Sequence, residues 1–184
     1  MCKLGHESRR ELKARLRREL IAQRKAMDKS DKSAADLNIF EQLKPYLDKA
    51  EAVFIYASTV LEVDTRRAIA YCLERGIRVA LPVSGDSELD FFYIDRKDEL
   101  VKGRYDIDEP PRLRPAVANS GTLCVVPALC ADGNGLRLGY GKGYYDRFLS
   151  GFCGQSVILC YKSFIRDVPA EPHDIKADFT IFNR

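Results

Sequence analysis

A short apolar run, Ala52-Val53-Phe54-Ile55-Tyr56, is followed by a helical pattern from Asp64 to Arg75, a glycine at 76 and a second apolar run from Ile77 to Val83. Both runs are short and rich in β-branched or aromatic residues, so they read as buried strands. Gly76 supplies the helix stop between them. Strand, helix and strand within about thirty residues make a βαβ unit, which implies a parallel strand pair joined by a right-handed crossover. This one feature commits the chain to an α/β fold with helices covering the sheet.

The remaining segments extend that plan. Residues 9 to 27 read as an amphipathic helix with Leu12, Leu16 and Leu20 at i, i+4 spacing, and a second helix is expected from about Ser33 towards Pro45. Leu89 to Ile94, Leu123 to Val126, Ser156 to Tyr161 and Asp178 to Phe182 read as strands, and Tyr144 to Leu149 as a helix. Arg104 to Ser120 is rich in Pro, Arg and Asp without periodicity and reads as a loop. With no internal repeat or linker, residues 1 to 184 are expected to form one domain, a three-layer α/β/α sandwich around a mostly parallel sheet, with helix 9–27 packed on its core.

Composition narrows the class of function. No apolar run approaches the ~18 to 20 residues of a membrane span, and the start has no apolar core of a secretory leader. Glu11 and Glu19 argue against a transit peptide. The six cysteines, at 2, 72, 124, 130, 153 and 160, contain no CxxC spacing, so free thiols in a reducing, cytoplasmic setting are expected. Net charge is +3, but residues 9 to 25 carry eight Lys/Arg against two Glu, so this stretch is +6 and the remainder −3. Localised positive charge suggests an anionic partner, either a phosphorylated small molecule or a nucleic acid.

Five of the twelve glycines fall at 133, 135, 139, 141 and 143, between an expected strand and an expected helix. That is the carboxyl edge of a parallel sheet, where open α/β folds bind ligands. Glycines let backbone N–H groups approach phosphate oxygens, the next helix start adds its dipole, and Lys142 adds a point charge. The spacing is neither G-x-x-x-x-G-K-[ST] nor G-x-G-x-x-G. By pattern alone the segment is an anion-binding loop or a glycine-rich turn packed by Tyr144 and Tyr145.

The run Arg137-Leu138-Gly139-Tyr140-Gly141-Lys142-Gly143-Tyr144-Tyr145-Asp146 closely resembles the signature of the 5-formyltetrahydrofolate cyclo-ligase family. The resemblance extends to Lys13 and Arg17 near the start, to Glu62 in Leu61-Glu62-Val63-Asp64-Thr65, and to Asp174 in Val168-Pro-Ala-Glu-Pro-His-Asp174. It implies a NagB/RpiA-like architecture and ATP-driven closure of 5-formyltetrahydrofolate to 5,10-methenyltetrahydrofolate. It also implies ATP contacts from Lys13, Arg17 and residues 137 to 145, that is Arg137, Leu138, Gly139, Tyr140, Gly141, Lys142, Gly143, Tyr144 and Tyr145. Folate contacts would come from Ala57, Glu62, Tyr140, Gly141, Lys142, Gly143 and Tyr144. Mg²⁺ would sit on Asp146 and Asp174, with Arg137, Lys142 and Tyr144 nearest the chemistry. The implied partners are the folate and ATP, with no membrane, and a monomer is expected. One departure is Pro127-Ala-Leu-Cys-Ala131-Asp132, where the family often has an aromatic residue in place of Ala131.

Each residue also has a plainer reading. Lys13 and Arg17 could lie on a solvated helix face, Asp146 could be a first-turn carboxylate favoured by the dipole, Asp174 could cap a turn, and Glu62 could merely precede a helix. His6 and His173 are too few and too distant for a histidine metal site. Two other functions stand beside the ligase: a nucleic-acid module using the basic helix, which lacks aromatic-basic interleaving, and a relative that keeps the ATP loop but serves another substrate or regulates. On a helical wheel Arg10, Lys13, Arg17 and Arg24 form one row beside the leucines, expected to run along the domain surface.

Overall fold

The computed structural model describes residues 8–103 and 107–184. Two helices come first, α1 (Arg9–Lys25) and α2 (Lys29–Leu47). Ser8 starts α1 with a reciprocal capping box: its hydroxyl accepts from the Glu11 N–H at 3.2 Å, and the Glu11 carboxylate accepts from the Ser8 N–H at 2.9 Å. The expected βαβ unit follows as β1 (Ala52–Ile55), α3 (Arg66–Glu74) and β2 (Arg78–Ser84). β1 and β2 pair in parallel, with Val53 opposite Val79. Past α3, Gly76 turns the chain at φ +70°, in the left-handed region that glycine enters without strain. β3 (Leu89–Ile94) then runs back antiparallel along β2.

The second half contains β4 (Val101–Lys102), β5 (Asp108–Glu109), β6 (Thr122–Pro127), β7 (Cys130–Ala131), β8 (Arg137–Leu138), α4 (Tyr144–Ser150), β9 (Gln155–Cys160) and β10 (Phe179–Phe182). The main sheet has the order β10-β9-β6-β1-β2-β3, parallel except for its last pair. Starting from β1, the chain builds outward to β3, then restarts at β6 on the other side and builds outward to β10. Strand order therefore reverses between β1 and β6, and such a switch point opens a crevice beyond the carboxyl ends of the strands. The segments leaving Ile55 and Pro127 border it.

Two short ladders lie outside the expected elements. β4 and β5 pair antiparallel, so the stretch read as loop from Arg104 to Ser120 contains a strand, although residues 104–106 lie outside the described residues. β7 and β8 form a second hairpin, inside the glycine segment. Two-residue strands are too short to carry a period-2 signal, which is why the sequence does not announce them.

Aromatic packing fixes α4 to the sheet: Phe91 stacks on Phe54 at 4.6 Å between centroids, and Phe148 packs on Phe91 at 4.7 Å and on Phe152 at 5.4 Å. Each such pair contributes roughly 0.5–1.5 kcal/mol beyond area burial, so the helix behind the glycine segment is well anchored. On α1 the leucines do less than expected. Leu20 is fully buried, but Leu12 and Leu16 are only half-buried, while the cations Lys13 and Arg24 are as deep as core residues. The basic row expected along the surface thus turns inward at Lys13 and Arg24, because distant segments supply it with carboxylates and carbonyls. Cys72, Cys124, Cys130 and Cys160 are buried free thiols, and burial pushes the Cys72 thiol up to about 12; Cys2 lies outside the described residues. No helix among the described residues is long and apolar enough to cross a membrane.

Candidate active site

The glycine segment is built on the β7–β8 hairpin. Asp132 closes its turn, with Oδ1 accepting from the N–H groups of Asn134 and Leu136 at 2.8 and 2.9 Å. Ala131 is opposite Arg137 in the ladder, fully buried, and its carbonyl accepts from the Arg166 N–H at 2.9 Å. The residue at which the chain departs from the resembled pattern therefore lies in the core. Gly135 takes φ +83°, its carbonyl accepts from the Ala177 N–H at 2.9 Å, and a side chain there would run into the Ala177 carbonyl oxygen. This contact lays the segment before β10 along the hairpin.

Helix α1 meets both. Arg17 donates through Nε to the Gly139 carbonyl at 2.9 Å, and its guanidinium packs against Gly141, where a Cβ would come within 3.0 Å of it. One turn earlier Lys13, 5% exposed, donates to the Glu171 and Asp174 carboxylates at 2.6 and 2.7 Å. The Lys13 ammonium holds the Glu171 carboxyl below its usual range. Burial works to raise Asp174, but the Lys13 hydrogen bond, the Glu171 N–H and the Lys13 charge outweigh it and the net direction is down.

Beyond the hairpin, Lys142 is exposed at the loop tip, Leu138 is buried beneath it, and Gly143 at φ +68° leads into α4. Tyr144 donates its hydroxyl to the Gly85 carbonyl at 2.9 Å, and Arg147 bridges the carbonyls of Lys142 and Ser87, so the loop is tied to the turn after β2. The Tyr145 hydroxyl is buried and has no hydrogen-bond partner among the described residues.

Arg137 is turned beneath the loop, donating to the Ile175 carbonyl at 2.8 Å and to Asp146 Oδ1 at 3.0 Å. Asp146 Oδ1 also accepts from the Ile175 N–H at 3.1 Å. Through Ile175 the structure thus brings Asp146 beside the residue that follows Asp174. Magnesium takes hard oxygen ligands and keeps several waters. Each carboxylate here already meets a cation through one oxygen, Asp146 Oδ1 with Arg137 and Asp174 Oδ2 with Lys13, so it is the other oxygen of each that would serve the ion. Glu171, His173 and Asp174 also place ligand atoms within 4.8 Å of one another, with the Lys13 ammonium shared between the two carboxylates. His6 lies outside the described residues.

Across the crevice, the segment leaving β1 carries half-buried Ala57 and buried Glu62, 7% exposed. The Glu62 carboxylate accepts from the Thr59 N–H at 2.8 Å, and the Tyr140 side chain of the glycine loop comes near enough across the crevice to act on its charge. Burial raises the Glu62 carboxyl above its usual range, against the opposing pull of Thr59, of the Arg24 charge and of Tyr140. A raised carboxyl stabilises the fold fully below its unfolded value, near 4.5, and that contribution is lost as pH rises through the folded value. Glu62→Gln is therefore expected to melt higher than the wild type at neutral pH. The gap should be absent in acid and widen with pH, as read by thermal denaturation across a pH series.

Of the residues picked from sequence, the Gly139–Gly143 backbone, Arg17, Tyr140 and Glu62 meet at the crevice. Lys13 reaches Asp174, Arg137 reaches Asp146, and Tyr144 reaches Gly85. Sequence reasoning missed Glu171, which shares Lys13 with Asp174 and stands three residues before it. It also left Arg24 and Tyr161 without a role, though Arg24 belongs to the helical row; its guanidinium holds the carbonyls of Leu61, Ala128 and Leu129.

Residues 9–182 match the model of the 5-formyltetrahydrofolate cyclo-ligase family. Among similar proteins, the 5-formyltetrahydrofolate cyclo-ligase of Mycolicibacterium smegmatis is 32% identical over 113 residues, 56% of this chain and 58% of that one, so the match spans somewhat under two thirds of that relative. The mouse 5-formyltetrahydrofolate cyclo-ligase is 25% identical over 186 residues, covering 91% of each chain. The structure resembles that of Aquifex aeolicus 5,10-methenyltetrahydrofolate synthetase, with a TM-score of 0.83 at 26% identity, over 93% of this chain and 89% of that one. A family match from α1 to the last strand, spanning the glycine hairpin and the carboxylates beside it, leaves one assignment: the chain belongs to the 5-formyltetrahydrofolate cyclo-ligase family.

Proposed function

We propose that this protein converts 5-formyltetrahydrofolate and ATP to 5,10-methenyltetrahydrofolate, ADP and phosphate. The observation that carries the reading is the meeting at one switch-point crevice of a glycine loop gripped by Arg17 and a buried carboxylate, Glu62, near the Tyr140 side chain of that loop. One wall suits phosphates and the other a polar heterocycle.

The formyl group is an amide and a weak electrophile. Transfer of the γ-phosphoryl group to the formyl oxygen releases ADP and makes the carbon an iminium centre. N10 then attacks that carbon, phosphate leaves with the original formyl oxygen, and N10 gives up its proton. Such chemistry asks the protein mainly for positioning and charge neutralisation. Arg17, Lys142 and the N–H groups of the loop hold the phosphates, and Lys13 stands one helical turn from Arg17 beside them. Tyr140 and Glu62 orient the pterin end, with Tyr144 keeping the loop closed against Gly85. Asp146 and Asp174 would hold Mg²⁺, which neutralises phosphate charge when bound. Cytoplasmic location and a monomeric state accompany this reading.

The purified protein should develop the near-UV absorbance of the methenyl product only when 5-formyltetrahydrofolate, ATP and Mg²⁺ are all present. ATP binding without turnover would instead favour a relative acting on another substrate or as a regulator. Arg17→Ala should raise the KM for ATP about tenfold, the loss of one charge-assisted hydrogen bond, while exposed Arg18 tolerates alanine. Equal losses of RNA affinity in both variants would restore the nucleic-acid reading, although Lys13, Arg17 and Arg24 are already engaged within the protein.

A further inference from the structure

Arg24 is 4% exposed and lies in the last turn of α1. Its Nη1 donates to the Leu61 carbonyl at 2.7 Å, and its Nη2 to the carbonyls of Ala128 and Leu129 at 2.7 and 2.8 Å. The guanidinium also lies over Phe164 at 4.8 Å and Tyr161 at 5.2 Å from the ring centroids. Leu61 is in the segment leaving β1, Ala128 and Leu129 leave β6, and Tyr161 leaves β9. One guanidinium thus ties together the carboxyl ends of three adjacent parallel strands.

Tyr161 completes the arrangement. Its hydroxyl lies 2.7 Å from Asp36 Oδ1 and 2.9 Å from the Glu62 carbonyl oxygen, and Asp36 Oδ1 also accepts from the Asp64 N–H at 3.0 Å. The Leu61 carbonyl and the Asp64 N–H, on either side of Glu62, are therefore held by Arg24 and Asp36, and the single hydrogen of the Tyr161 hydroxyl is shared between Asp36 and the Glu62 carbonyl. Burying an arginine is costly, and an apolar residue of similar volume would fill the space as well. What the planar five-donor fork adds is fixed orientation of several carbonyls at once. Held peptide groups on both sides of Glu62 fix where its side chain leaves the backbone, and its carboxylate is then set by the Thr59 N–H at 2.8 Å on the crevice side that Tyr140 approaches.

We propose that Arg24 and Tyr161 are positioning residues that aim the Glu62 carboxylate at the folate by fixing its backbone; this rests on the folate-closing reaction described above. Tyr161 makes no hydrogen bond to the glycine loop, so its effect falls on one substrate; Arg24 also holds Leu129, whose N–H bonds to the Leu138 carbonyl of the loop, so its effect reaches further. Tyr161→Phe keeps the ring and removes one hydroxyl. It should raise the KM for 5-formyltetrahydrofolate about tenfold, leaving kcat and the KM for ATP within twofold, as expected for loss of uniform binding. Arg24→Lys should raise the folate KM more strongly and the KM for ATP less, and Glu62→Gln sets the ceiling for Tyr161→Phe. If the effect of the hydroxyl on the folate passes through Glu62, Tyr161→Phe combined with Glu62→Gln should have a folate KM no worse than Glu62→Gln alone.

The test is steady-state kinetics of these variants, with 5-formyltetrahydrofolate affinity measured in parallel by calorimetry. An unchanged folate KM in Tyr161→Phe, an equal rise in the KM for ATP, or fully additive losses in the double variant overturns the positioning role while the reaction itself stands. If the wild type neither binds 5-formyltetrahydrofolate nor yields product, the proposed function falls and the positioning role with it.

Discussion

Asp146→Asn is expected to lower kcat by about 10²- to 10³-fold, the scale of losing one electrostatic contact to a reacting group, while the protein melts within a few degrees of the wild type. The separation follows from what the carboxylate does in the fold. Only Oδ1 takes the Arg137 and Ile175 donors, at 3.0 and 3.1 Å, and an amide oxygen in the same place accepts from both. Asparagine thus keeps the structural half of the residue. It discards the negative charge and turns the second oxygen into a donor, which a magnesium ion rejects. The Mg²⁺ concentration giving half-maximal rate should rise steeply in the variant. A kcat loss with unchanged Mg²⁺ dependence would mean that Asp146 serves only to hold Arg137 and Ile175. Full activity would remove it from the site altogether.

Gly135→Ala is expected to cost about 3 kcal/mol or more, combining the strain of a non-glycine residue at positive φ, a clash with backbone and a lost hydrogen bond. For a chain of this length that is a fall in Tm of roughly 10 °C. Gly135 sits at φ +83°, and the added carbon would collide with the Ala177 carbonyl oxygen, part of a backbone that cannot swing aside like a side chain. Gly133→Ala is the control, since a Cβ there meets nothing within 4 Å and the backbone needs no positive φ. The loss should also reach the chemistry: the Ala177 N–H bond to Gly135 fastens the segment carrying Asp174 to the hairpin carrying the glycine loop. A Gly135→Ala protein that melts with the wild type would show that this contact does not hold the two segments together.

Sequence by itself determined the strands of the main sheet, the helices and the family that the glycine loop belongs to. The apolar runs that become β1, β2, β6, β9 and β10 are β-rich and bounded by breakers, so they are legible one at a time, and Leu89 to Ile94 is β3 to the residue. The ten-residue run from Arg137 to Asp146 identifies its own family because its glycines, lysine and aspartate are contiguous. Tertiary structure alone decided which side chains those residues face. A helical wheel gives the angle between Lys13, Arg17 and Arg24 but not what lies opposite, and the partners come from residues 61, 128, 129, 139, 171 and 174. Burying a cation is favourable only when oxygens are already in place to receive it, and here chain topology puts them there. Lys13 and Arg24 therefore read as solvated charges in the sequence and are buried in the fold.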